Sequence, residues 1–165
     1  MLSCSKNKID STCPDYEKGS VIAGIKNTAS VEDVFSLCNR YGLQIDEMAG
    51  FFYTSPYPKD SLPGLVSYLD TKSYIDTRGF SGSAFVHYQT EIINVTTLFF
   101  DMNVSNQQDW INTKKLLKLV DTNGDTKDIV LKVPVGQEKY WLAALKQNKI
   151  VTWTELNCLN KMQLF

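Results

Sequence analysis

From Ser20 onward the chain alternates short extended runs with amphipathic helical patterns, and none of its apolar runs approaches the roughly 18 residues of a membrane-spanning helix. That alternation is the strongest constraint on the fold. A short strand buries one face, and a helix of similar length is the natural cover for it. The connections are rich in Gly, Pro, Asn and Asp, which suits antiparallel neighbours. The expected class is therefore α+β, an antiparallel sheet with helices packed on one face.

The elements follow from local signals. Val21–Ile25 reads as a strand. Ser30 is a good N-cap, Val31, Val34, Phe35 and Cys38 share one helical face, and Gly42 ends that helix. Leu43 to Ser55 is extended, with Gly50 as a bend or bulge, and Pro56 and Pro58 end it. Asp60 or Ser61 caps a second helix that gathers Leu62, Leu65, Val66 and Leu69, with Pro63 in its first turn. Tyr74-Ile75 is a short extended return, and Thr77 to Ser83 a flexible joint. Ala84 to Met102 is too long for one strand, so two are expected, breaking near Gln89 to Glu91. Asn106 to Val120 predicts a helix with Trp110, Ile111, Leu117 and Val120 on one stripe. Asp121 to Asp125 is a turn, Ile129 to Val135 a strand, Glu138 to Gln147 a helix and Ile150 to Leu156 a closing strand.

The same order of elements stands on both sides of the joint, and Ser67–Ile75 matches Ala143–Val151 as helix end, polar turn and strand. The division is a tether over 1–18, a first α+β unit over 19–78, a joint over 79–83 and a second unit over 84–165. These are either two tandem units or one continuous domain.

Charge and residue usage narrow the function. Lys plus Arg is 17 and Asp plus Glu 18, so the net charge is −1, which excludes a nucleic-acid binder that works by neutralising many phosphates. Only Arg40 and Arg78 supply guanidinium groups. His87 is the single histidine, so a His-rich metal site is excluded and one candidate base remains, with Glu91 on the same strand face. Asp121-Thr122-Asn123-Gly124-Asp125 with Asp128 has the composition of a calcium loop. Its Gly124 is fourth rather than sixth, and no Glu stands at the twelfth position, so a plain turn is expected. Gly79-Phe80-Ser81-Gly82 has Ser83 where a nucleophile elbow needs its last Gly. Asp46, Glu47 and Asp109 read as solvated carboxylates. The expectation is a protein that is not an enzyme, with no catalytic residue, metal or cofactor. Phe51, Phe52, Tyr53 and Tyr57, beside two prolines, form the candidate interaction surface. Strand alternation takes either Phe51 and Tyr53 or Phe52 into the core.

At the start stands Met1-Leu2-Ser3-Cys4-Ser5-Lys6. This resembles the end of a bacterial lipoprotein signal peptide, in which a small residue precedes the cysteine that is diacylated and becomes the N-terminus. The resemblance implies a start upstream of Met1, lipid attachment at Cys4, a polar tether from Ser5 to Lys18, and a membrane-anchored place in the cell envelope. Without acylation the same N-terminus is that of a cytoplasmic protein. Of the other cysteines, Cys38 reads as a buried hydrophobe. A Cys13–Cys158 bridge would tie the two ends together in an oxidising compartment.

Val133-Pro134-Val135-Gly136-Gln137-Glu138, followed by the strand through Val151-Thr152-Trp153-Thr154-Glu155-Leu156, is similar to the end of a ferredoxin-like domain of the subtilisin-propeptide-like inhibitor family. In that family the residues after the last strand occupy the protease cleft, a role that would fall here to Asn157–Phe165. Two functions follow as expectations. The first is a non-catalytic cell-envelope lipoprotein that binds or assembles with a protein partner, its membrane contact through Cys4 and with no nucleic acid. The alternative is a protease-inhibitor or propeptide-like module acting through the C-terminal strand and tail.

Overall fold

A computed structural model describes residues 13, 15–76, 83–122, 124 and 126–159. Lipid-attachment candidate Cys4, most of the tether, the joint up to residue 82 and the tail from 160 lie outside the described residues.

The chain enters through β1 (Tyr16–Ile25), so Tyr16, Glu17 and Lys18, assigned above to the tether, belong to the sheet. A reciprocal cap then starts α1 (Val31–Tyr41). The Ser30 hydroxyl accepts from the Asp33 N–H at 3.1 Å, and the Asp33 carboxylate accepts from the Ser30 N–H at 2.9 Å. Those Ser30 hydrogen bonds hold the Asp33 carboxyl below its usual range. Gly42, at φ 65°, closes the helix in the left-handed conformation. In β2 (Gln44–Ser55), Gly50 sits at φ 81°, and a Cβ there would collide with the Thr126 carbonyl oxygen. A single 3-10 turn (Lys59–Ser61) leads into α2 (Leu62–Leu69), where Ser61 stands at the cap position without a side-chain cap bond. β3 (Ile75–Asp76) is two residues long.

The expected break in the next extended region is present between β4 (Ser83–Val86) and β5 (Ile93–Met102). α3 (Val104–Leu116) is displaced from the predicted 106–120. Asn103 caps its start by accepting from the Asn106 N–H at 3.0 Å. Lys118 turns to φ 52° and ends it, which puts Val120 in β6 (Val120–Thr122) rather than on the helical stripe. β7 (Lys127–Lys132), α4 (Glu138–Lys146) and β8 (Val151–Cys158) complete the chain.

All the strands pair antiparallel in one sheet, in the order β3-β5-β2-β7-β1-β8, with β4 beside β5 and β6 beside β2. One sheet face carries Val21, Ala23, Ile45, Met48, Phe51, Tyr53, Val95, Phe99, Ile129 and Leu131, all buried. The helices lie over this face. Trp110 of α3 meets Tyr53 and Phe99 edge-on, and Thr154 of β8 donates to the Leu142 carbonyl of α4 at 3.1 Å. Leu65 and Leu69 of α2 and Val34 and Phe35 of α1 join the same hydrophobic cluster. The class is thus α+β, an antiparallel sheet of eight strands with four helices.

The two ends of the described chain are tied together. Cys13 and Cys158 form a disulfide with Cα atoms 5.8 Å apart, and the Leu159 N–H donates to the Asp15 carbonyl at 2.9 Å. Nearby, Glu138 is buried and its carboxylate accepts from the Gly19 N–H at 2.8 Å and the Gly136 N–H at 3.1 Å. These backbone donors hold its carboxyl below the usual range. A depressed carboxyl stabilises the fold fully above the unfolded value of about 4.3 and stops doing so as pH falls through the lower folded value. Glu138→Gln is therefore expected to lower the urea midpoint more at pH 7 than below pH 4. Equal losses at both would rule out this role.

Candidate functional site

The aromatic segment is divided by the bulge at Gly50. β2 shifts register against β5 between Met48 and Phe51, and beyond the shift Phe51 and Tyr53 point into the core while Phe52 points the other way. Phe51 and Tyr53 are each only 1% exposed. Phe51 meets Phe99 edge-on, and the Phe51 and Tyr53 rings have Lys127 and Lys114 ammonium groups 5.2 and 5.5 Å from their centroids. Burial therefore removes these two from any contact surface. Phe52 is half-buried, and its ring covers Gly124, where a Cβ would strike it. Tyr57 is half-buried elsewhere, its hydroxyl donating to the Leu116 carbonyl at 3.2 Å with Lys118 over its ring. The four aromatics do not form one patch.

The polar clusters of the helix side hold loops and helices in place. Lys114, nearly buried, binds Glu32 at 2.8 Å and Asp121 at 2.7 Å. Asp121, the first residue of the calcium-like segment, is thus engaged by an ammonium group. Lys127 donates to the Asn27 and Ala29 carbonyls, both at 2.7 Å, and burial lowers its proton affinity. Tyr74 donates to Asp109 at 2.5 Å, and Lys72 pairs with the same carboxylate at 2.9 Å. These two partners lower the Asp109 carboxyl. Asp109 is therefore far from a free acid or base, and Asp46 has its own partner, Lys132 at 2.6 Å, on the other side of the sheet.

His87 is half-buried at the β4–β5 turn. Its Nδ1 lies 3.2 Å from the Thr90 hydroxyl, and its ring stacks on Tyr88. Glu91, its expected carboxylate neighbour, sits at φ 55° and binds Lys59 at 2.6 Å instead. Burial pushes the Cys38 thiol up to about 12, which leaves it protonated and unreactive. Among the described residues, no three His, Cys, Asp or Glu side chains gather as a metal site.

The sheet face away from the helices holds what strand-by-strand reading missed. Glu155, Ile22, Val130, Glu47 and Phe100 stand in direct register across β8, β1, β7, β2 and β5. None of the five is buried, while their strand neighbours Val21, Ala23, Ile129, Leu131, Met48 and Phe99 are. Leu98 and Phe52 are also only half-buried, and Trp153 is exposed. Each strand's alternation signals one such residue, but the row exists only once the strand order is known. No known protein family matches this chain, and no curated protein or solved structure matches it either.

Proposed function

We propose that this chain is the folded part of a non-catalytic cell-envelope lipoprotein, anchored through Cys4, whose work is to bind or assemble with a protein partner. The observation that carries the reading is the Cys13–Cys158 bridge. Disulfides persist in oxidising compartments and are rare in a reducing cytosol. The bridge also fastens the segment after Cys4 to the last strand, a sensible place for a tether to end. The row of Ile22, Val130 and Phe100 supports binding through this sheet face, because among the described residues these apolar side chains point away from the helix-covered core face. The deciding experiment is the intact mass of the protein purified from membranes of its native host. A diacylglyceryl mass on Cys4 is expected. An unmodified Met1 on a protein recovered free of membrane would refute the reading.

A second reading has its own support. β1-α1-β2 and β7-α4-β8 alone give the order β8-β1-β7-β2, all antiparallel. We infer that this is a ferredoxin-like unit, with the residues between β2 and β7 as an insertion that adds β5 to its β2 edge. That arrangement favours the inhibitor or propeptide-like module. Removing Asn157–Phe165 would also remove Cys158 and the end of β8, so the cleaner variant ends at Leu159. Under this reading the full chain inhibits a subtilisin-type protease and the shortened one does not. Equal inhibition, or none by either, sinks it.

A further inference from the structure

We propose that the end of the sheet bearing the Cys13–Cys158 bridge docks on the lipid bilayer. The inference rests on the anchoring at Cys4 proposed above. Strand register gathers one set of termini at this end. β1 begins and β8 ends there at Tyr16 and Cys158, β7 ends and β2 begins at the Lys132–Gln44 pair, and β5 ends at Met102 opposite Ile45. α1 finishes at this end, and α3 and α4 start there.

Five large side chains stand out from these termini. Tyr41, the last residue of α1, is 38% exposed, Val104, the first of α3, 69%, and Val135, in the loop before α4, 69%. Tyr140 in the first turn of α4 is 65% exposed, and Leu159 just past β8 is 54% exposed. Aliphatic groups with tyrosines among them are the composition that settles at the headgroup level of a bilayer. Exposed Lys18, Arg40 and Lys139 share this end with exposed Glu17 and Asp101, so the attraction is apolar and needs no anionic lipid.

Reach selects this end over the other. The opposite end also exposes apolar groups, Phe85, Tyr88 and Ile92 at the β4–β5 turn. Only residues 5–12 separate Cys4 from Cys13. Nine residue steps span at most about 32 Å fully extended. β2 runs from Gln44 at the bridged end to Ser55, which pairs with Ile93 beside the β4–β5 turn, eleven steps or about 36 Å. Chain fastened at Cys13 is used up before it can bring the opposite end down to the lipid that holds Cys4. The bridged end is the one held against the surface, and the β4–β5 turn is held away from it.

The test is amide hydrogen exchange on phosphatidylcholine vesicles, with the full chain held in two ways. One sample carries its own lipid on Cys4. The other carries no lipid and is held on nickel-chelating vesicles by an N-terminal hexahistidine tag. Exchange around Val104, Val135 and Tyr140 is expected to slow by about threefold or more on vesicles, while that around Phe85–Ile92 stays unchanged. A variant with Val104→Asp, Val135→Asp and Leu159→Asp should remain anchored, keep its melting temperature and lose the slowing. Uniform exchange on the tag-held vesicles, or slowing at Phe85–Ile92 instead, would overturn the docking surface. Absence of acyl mass on Cys4 with slowing intact on the tag-held vesicles would overturn the lipoprotein reading alone.

Discussion

Trp110→Ala is expected to destabilise the fold by about 3–5 kcal/mol, the usual cost of truncating a buried tryptophan. Trp110 is fully buried, with Phe99 at 4.8 Å and Tyr53 at 5.4 Å between ring centroids, both edge-on. Removing it leaves a cavity where α3 meets β2 and β5, and takes an aromatic neighbour from both rings, leaving Phe99 only Phe51. For a chain of this size each kcal/mol lowers the melting temperature by about 2–4 °C. The other two tryptophans are internal controls. Trp141 is half-buried and Trp153 is 40% exposed, so alanine there should cost less, in that order. Thermal and urea unfolding of the three variants would check the ranking. A Trp110→Ala loss below about 1 kcal/mol would contradict the burial of Trp110 between α3 and the sheet.

Breaking the Cys13–Cys158 bridge is expected to cost roughly 3–5 kcal/mol. The bridge closes a loop of sequence separation 145, for which chain entropy alone gives about 5 kcal/mol. Unfolded-chain compactness reduces that figure. The measurement is urea unfolding of Cys13→Ser/Cys158→Ser beside the parent under oxidising conditions. Equal midpoints would exclude the bridge as a stabilising element. Cys38 reports independently, because a buried thiol pushed up to about 12 should resist iodoacetamide until the fold opens. Labelling of Cys38 in the folded protein would contradict its burial.

Legibility in the sequence followed the range of the interactions. α1 was readable because everything that defines it is local: Ser30 and Asp33 cap one end and Gly42 the other. Lys118 misled, since Leu117 and Val120 continue the helical spacing and no glycine announces the left-handed turn at φ 52°. The start of β1 was hidden because Tyr16–Lys18 lack apolar alternation and are fastened from the far end of the chain, by the disulfide and by Asn157 donating to Glu17 at 2.8 Å. For the aromatic run, Gly50 signalled a bulge, but which parity faced inward depended on the pairing of β2 with β5. The cross-sheet row was the least legible feature, because its five members come from five strands scattered over the chain.

That scattering also governs when the protein can form. β1 pairs only with β7 and β8 among the described strands, so the first strand made waits for partners about 100 residues later. At a synthesis rate of about 5–20 residues per second, that wait is roughly 5–20 seconds. Fragments of the growing chain lack the partners that would close the sheet, and long-range pairing of this kind folds slowly even when complete. A chain that stays open until its last strand arrives can be threaded through a translocation pore before it folds. It also leaves β1 without its sheet partners for the whole interval, when its unpaired backbone can take wrong ones.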